Sequence, residues 1–168
     1  NLKSLDLSDF DTLNVTSMES LFSSSNNLES IDIRGFDTSN VRSMGSMFAL
    51  CHKLKSIDVS GFDTSNVTSM RSMFDGCKSI ERLNLSSFDT SNVVYMYCTF
   101  KNATNFNQPL NNWNTSNVTD MRQTFFGATS FNQPLNKWDT SNVTSMNLMF
   151  SGAKNFNQAI GEWNTSKV

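Results

Sequence analysis

His52 is the single imidazole in 168 residues, so any nucleophile and base of the Ser-His or Cys-His kind must run through it. Cys51 stands beside it, and Cys77 and Cys98 complete the thiols. Carboxylates able to share a proton, as a glycosidase pair does, recur as Asp6, Asp32 and Asp58. A second acidic set, Asp11, Asp37, Asp63, Asp89 and Asp139, sits in phrases of the type Asp-Thr-Ser-Asn, whose oxygens are of the sort calcium takes. Finally, Tyr95 and Tyr97 interrupt a run of small polar residues, with Arg71 and Arg122 at matching places on either side. Which of these groups meet in space depends on the elements that carry them.

Those elements repeat. Aligned on the aromatic that opens each phrase, Phe10, Phe36, Phe62 and Phe88 stand 26 residues apart, and Phe88, Trp113, Trp138 and Trp163 stand 25 apart. A fixed period of this length marks a solenoid, in which a coil buries its apolar side only against its neighbours. With the aromatic as position zero, position two is Thr throughout (Thr12 to Thr165) and position five is Val (Val15 to Val168). Position eight is Met (Met18, Met44, Met70, Met96, Met121, Met146) and position twelve is Phe (Phe22, Phe48, Phe74, Phe100, Phe125, Phe150). Spacings of three and four predict a short helix with one buried side. Ser or Asn ahead of the Val would cap it, and Gly76, Asn102, Gly127 and Gly152 at position fourteen would end it in a left-handed residue.

The other half of each early unit alternates, as in Leu28-Glu-Ser-Ile31-Asp-Ile33, which predicts a short strand with one face buried. Stacked coils would pair these strands in parallel. The later units replace them with Phe106-Asn-Gln-Pro-Leu110 and its copies; Pro109 and Pro134 each remove a backbone donor, so pairing should weaken there.

The phrase F/W-D/N-T-S-N-V-T-S-M-x-x-M-F, with the Gly-Cys or Gly-Ala that follows, covers nearly the whole chain. It resembles the 26-residue bacterial surface-protein repeat of Gram-positive wall proteins and mycoplasma lipoproteins, a relative of BspA-type leucine-rich repeats. Departures are small: Leu13 replaces the Ser, Lys167 the Asn, and Leu21, Thr99 and Thr124 the second Met. The resemblance implies an α/β repeat, a right-handed leucine-rich-repeat-like solenoid with short parallel strands on one side and short helices on the other. It also implies exposure at a bacterial cell surface, on a parent protein anchored to wall or lipid, and a role in adhesion. The expected organisation is a single solenoid over 1–168, period 26 over 1–87 and period 25 over 88–168. Polar capping units are missing at both ends, so the chain reads as a piece of a longer protein whose uncapped coils could associate end to end.

Composition sets the function classes. Thirteen basic against fifteen acidic residues give a net charge of −2, and nothing there draws the chain to nucleic acid. No apolar run approaches the ~20 residues of a membrane span, so direct insertion is not expected. A residue present in every coil is explained by stacking, and function is sought where coils differ. On that rule the DTSN acids are turn formers, since Asn114 and Asn164 take their place, and no cofactor is called for. The Thr row is read as facing inward onto the backbone of the next coil rather than outward as a hydroxyl array. Cys51 and Cys77 share position fifteen with Ala103, Ala128 and Ala153, a small buried space, with a bridge between adjacent coils as the alternative. His52 is then a solvated loop residue.

Two surfaces break the pattern and are the candidate binding sites. One is the row Arg71, Tyr97, Arg122 with Tyr95 beside it, suited to an acidic or glycan partner because Tyr and Arg are enriched at binding hot spots. The other is the sheet face, where Asp6, Asp32 and Asp58 run beside Arg34 and Arg82 and favour a basic partner. The resulting expectation is a binding or adhesion module that is not an enzyme, holding a stiff face toward a host or neighbouring-cell protein or glycan. A structural stalk without its own ligand is the first alternative, and a glycan-active enzyme working through the Asp row is the second.

Overall fold

The computed structural model describes residues 2–168. Strand β1 (Ser4–Asp6) pairs in parallel with β2 (Ser30–Asp32), setting Ser4 opposite Ser30, Leu5 opposite Ile31 and Asp6 opposite Asp32. Strand β3 (Ser56–Ile57) pairs in the same way with β4 (Arg82–Leu83), Ser56 opposite Arg82. A second parallel ladder, made of single-residue bridges, climbs the molecule from Ser17 through Ser43, Ser69, Tyr95 and Asp120 to Ser145. Residues 25 or 26 apart are therefore neighbours, as a coiled chain requires.

The expected α/β repeat, a leucine-rich-repeat-like solenoid with helices along one side, is not what forms: among the described residues there is no helix over positions five to fourteen or elsewhere, only the four short strands in two small sheets, with turns and coil between them. The reason is visible in one coil. Met47 N–H and Ala49 N–H bond back three residues, to the carbonyls of Met44 and Ser46. The N–H groups between them, on Ser46, Phe48 and Leu50, instead reach the next coil, to Arg71, Met73 and Asp75 at 2.7, 3.0 and 2.6 Å. Alternate donors thus leave the coil, and the bond to the fourth preceding carbonyl that defines an α-helix is never made. Left-handed residues at two places per coil permit this. Position ten (Ser20, Ser46, Ser72, Cys98, Gln123, Leu148) and position fourteen (Ser24, Leu50, Gly76, Asn102, Gly127, Gly152) all have φ between 52° and 75°. Each non-glycine residue there costs roughly 1–2 kcal/mol, offset by backbone bonds that clamp one coil to the next.

Val, Met and Phe at positions five, eight and twelve do face inward. Val41, Met44, Phe48 and their counterparts two coils onward are fully buried. The position-twelve rings form a stack, Phe48–Phe74 and Phe74–Phe100 each 5.7 Å between centroids. From Phe106 onward a second stack leans on the first, Phe106 lying 4.2 Å from Phe100 and Phe131 4.1 Å from Phe125. Burial of such rings is the main source of stability.

The polar phrase stitches the coils together. Thr38 Oγ1 donates to the carbonyl of Asp63 and Thr64 Oγ1 to that of Asp89, both at 2.9 Å and both nearly without solvent contact. Asn66 Nδ2 donates the other way, to the carbonyl of Ser39 at 2.8 Å, and Asn117 and Asn142 repeat the bond. Asp63 Oδ1 accepts from the backbone and hydroxyl of Ser65, and Asn114 does the same for Ser116. Inward threonines are as expected from the sequence, and the acidic residues of the phrase close their own turns.

No described strand continues the sheet beyond Leu83. In place of strand bonds, Asn107 Oδ1 accepts from Asn132 N–H at 2.9 Å and Asn132 Oδ1 accepts from Asn157 N–H at 2.9 Å. Gln133 and Gln158 donate to the carbonyls of Asn107 and Asn132. Side-chain amides supply what Pro109 and Pro134 cannot. The join leaves one trace: Trp138 and Trp163 donate their indole N–H to Leu110 and Leu135, whereas the buried Trp113 Nε1 has no partner.

Candidate functional site

Positions seven and nine flank the Met at position eight and lie on the outer side of the coils, with Gly45 at position nine covered by Arg71 and Glu19. Position seven is the bridge ladder, and its tight parallel pairing fixes the spacing of the side chains it displays. Position nine runs beside it as Glu19, Gly45, Arg71, Tyr97, Arg122 and Asn147.

Tyr97 lies between its two arginines. Arg71 Nη1 donates to Tyr97 Oη at 3.2 Å, and the Arg122 guanidinium sits over the Tyr97 ring, 5.4 Å from its centroid. Each arginine also holds a carboxylate. Arg122 makes a forked contact with Asp120, Nε to Oδ1 at 2.9 Å and Nη2 to Oδ2 at 2.6 Å, and this bonding raises the guanidinium's already high pKa. Arg71 Nη2 pairs with Glu19, two coils away. It reaches that far because Gly45 stands in the intervening coil: a Cβ there would lie 3.0 Å from Arg71 Cγ and 3.2 Å from Glu19 Oε1. The result is a line of contacts, Glu19, Arg71, Tyr97, Arg122, Asp120, in which two positive and two negative groups cancel. Tyr95, the one large side chain of the bridge ladder, stands alongside with 49% of its surface exposed. An open depression of about 320 Å³ is lined by Tyr95, Tyr97, Arg71, Glu19, Ser43 and Ser69.

Sequence reasoning names Arg71, Tyr95, Tyr97 and Arg122 and misses Glu19, Asp120 and Gly45. The same count places Glu19 and Gly45 at position nine and Asp120 at position seven, but it does not show that Arg71 reaches across Gly45 to Glu19.

The sheet face is organised differently. Asp6 and Asp32 are register partners, with Asp58 in the next coil. Yet each carboxylate is occupied within its own turn. Asp6 Oδ1 accepts from the backbone N–H and hydroxyl of Ser8, Asp58 Oδ1 from those of Ser60, and Asp32 pairs with Arg34, Nη2 to Oδ2 at 2.6 Å. These bonds hold all three below the usual carboxylate range: Ser8 backbone and hydroxyl for Asp6, the Arg34 guanidinium for Asp32, Ser60 hydroxyl and backbone for Asp58. A general acid needs the opposite shift. Arg82 stands in β4 opposite Ser56, apart from the Asp32–Arg34 pair.

The remaining reactive groups are engaged in the scaffold. Cys51 Sγ donates to the carbonyl of Phe22 at 3.3 Å and Cys77 Sγ to that of Phe48 at 3.1 Å, and both thiols are free and buried. Burial pushes Cys51 up to about 11 and Cys77 well above its ordinary value. His52 is half-buried, not a freely solvated loop residue, and its Nδ1 donates to the carbonyl of Gly76 at 2.8 Å.

A family described as "Mycoplasma protein of unknown function, DUF285" matches the chain over residues 1–84 and again over 68–168. The chain belongs to that family. Its two overlapping matches, which together span the sequence, fit a unit that recurs along the chain. No curated protein and no solved structure matches it. The DUF285 family carries no assigned activity, so the function has to be argued from the surface just described.

Proposed function

We propose that this DUF285 chain is a binding module, and that it contacts its partner through the face bearing Tyr95 and Tyr97. The single observation that carries this reading is Tyr95. In a ladder otherwise of serines and one paired aspartate, it holds a large aromatic half in solvent, where stacking has no use for it. Aromatic side chains next to an anchored arginine are the composition of an interface core, and Tyr97 is already fixed by two arginines, so little side-chain freedom is lost on binding.

In this proposal the parent protein is extracellular and displayed at a bacterial surface, related to the BspA-type repeats, and the module serves adhesion to a protein or glycan of a host or neighbouring cell. The sheet face with Asp6, Asp32, Asp58, Arg34 and Arg82 is secondary, because its three carboxylates and Arg34 are committed to their own turns. The alternative of a ligandless stalk draws support from the unbroken coil-to-coil bonding, which suits a rigid spacer.

Flow cytometry with fluorescent chain on host-type cells separates the two. The wild type should stain cells, and Tyr95→Ala with Tyr97→Ser should abolish the staining while leaving the far-UV spectrum and melting temperature in place. Undiminished staining by the double variant, or none by the wild type, would overturn the proposal.

A further inference from the structure

Resting on that reading and deepening it, we propose that the ligand of the Tyr95–Tyr97 face is an uncharged saccharide, not an acidic glycan or an acidic protein segment. The argument begins with charge. An arginine that recruits a carboxylate, sulfate or phosphate does so with its forked N–H groups. On Arg122 that fork is taken by both oxygens of Asp120, and Arg71 is taken by Glu19. An acidic ligand would have to displace one of these carboxylates or sit beside it, and like charges brought together in a partly dry site repel. A neutral ligand meets no such cost.

The same pairs are well made for hydroxyl groups. A sugar hydroxyl is donor and acceptor at once. The carboxylate of Glu19, in the lining of the depression, can accept from it, and the N–H groups of Arg71 not held by Glu19 or Tyr97 can donate to it. Ser43 and Ser69, small and in the lining of the depression, add hydroxyls that can donate and accept. Tyr95 supplies the remaining element, an exposed ring whose negative face attracts the weakly positive C–H bonds on one side of a pyranose. The depression, about 320 Å³, is at the small end of ligand sites, which span roughly 300–1,000 Å³, and takes a short oligosaccharide end rather than a long chain.

The test is a glycan array carrying neutral oligosaccharides, each with a sialylated or sulfated counterpart, probed with the intact chain, followed by calorimetry on the best ligand. The neutral member of a pair should bind at least as well as its acidic counterpart. Affinity should change less than about twofold when salt is raised from ~0.05 to ~0.5 M, because no net charge is neutralised. Tyr95→Ala should weaken binding ~10-fold or more, Tyr95→Phe should retain it, and Glu19→Gln, which removes the charge paired with Arg71, should improve binding of the acidic counterparts relative to the neutral members. Should Tyr95→Ala fail to fold, chemical-shift changes on the Tyr95 ring of the wild type on adding the neutral sugar report the same contact. Preference for the acidic counterpart, loss of binding with salt, or sugar binding indifferent to Tyr95 would overturn the inference. Absence of any saccharide binding would also overturn it. If Tyr95-dependent cell staining then persisted, the wider proposal would stand with a protein partner; if the staining were lost too, both would fall.

Discussion

Replacing Thr64 by Val removes one hydroxyl and keeps the shape of the side chain. Thr64 is 1% exposed, and its Oγ1 is the side-chain donor to the Asp89 carbonyl in the next coil, at 2.9 Å. Two costs follow. The net worth of the bond is about 0.5–1.5 kcal/mol, and a part-buried carbonyl left without its partner adds to that, up to about 1–3 kcal/mol in all. The extra methyl regains part of this through burial, about 0.8 kcal/mol. The expected loss is therefore about 1–2 kcal/mol. Urea unfolding followed by circular dichroism reads it directly: with a slope of about 2 kcal/mol per molar urea, the middle of the usual range, the midpoint should fall by roughly 0.5–1 M. Thr68 is the internal control. Its hydroxyl also bonds to the preceding coil, at 3.2 Å to the Arg42 carbonyl, but it is exposed and water can replace the contact. Thr68→Val should change stability by less than about 0.5 kcal/mol. Equal effects at the two sites, or a Thr64→Val midpoint at or above wild type, would refute the claim that buried hydroxyl-to-carbonyl bonds join the coils.

Leu50 holds φ 63° where three other coils have glycine, and it is 40% exposed, so Leu50→Gly should raise stability by about 0.5–1 kcal/mol in the same urea assay. Asp37, Asp63 and Asp89 are held below the ordinary carboxylate range by their Ser partners, hydroxyl first and backbone second. A depressed folded value means stability that is complete above the unfolded pKa of about 4 and lost as pH falls through the lower folded value. Melting temperature should accordingly drop between about pH 4 and pH 2, and Asp63→Asn should flatten that drop, since Asn114 makes the same bond to Ser116 without a titrating group. Alkylation followed by mass spectrometry should label Cys98 first, because it alone of the thiols is partly exposed; Cys51 and Cys77, buried and raised in pKa, should react only on unfolding.

Much of the architecture was legible from spacing, because a strict period converts sequence distance into contact. The inward Thr, Val, Met and Phe rows and the placement of Tyr97 between Arg71 and Arg122 all follow from counting. The helices were not legible, for a physical reason. Val, Met and Phe at positions five, eight and twelve fit a helical stripe, but equally fit a run of turns with a left-handed residue at ten and fourteen. Gly76, Gly127 and Gly152 announce the second of these, whereas Ser46, Ser72 or Gln123 do not announce the first. What decides between the two is the coil above, which takes every other N–H group, and no single unit read alone contains that neighbour. The candidate site was half legible: the odd aromatics stood out, while Glu19, whose partner Arg71 is two coils away, becomes visible only once Gly45 is seen to leave the path clear.

The step from period 26 to period 25 has its own consequence. Strands β1 to β4 give way to the Asn-Gln-Pro segments on one wall, while the bridge ladder on the other passes from Tyr95 to Asp120 without interruption. One wall therefore absorbs changes of length and the other keeps a constant gauge. A gene built this way can lose or duplicate whole modules by recombination between like copies, lengthening or shortening the protein like a rod cut at its graduations, while the displayed rows stay in line.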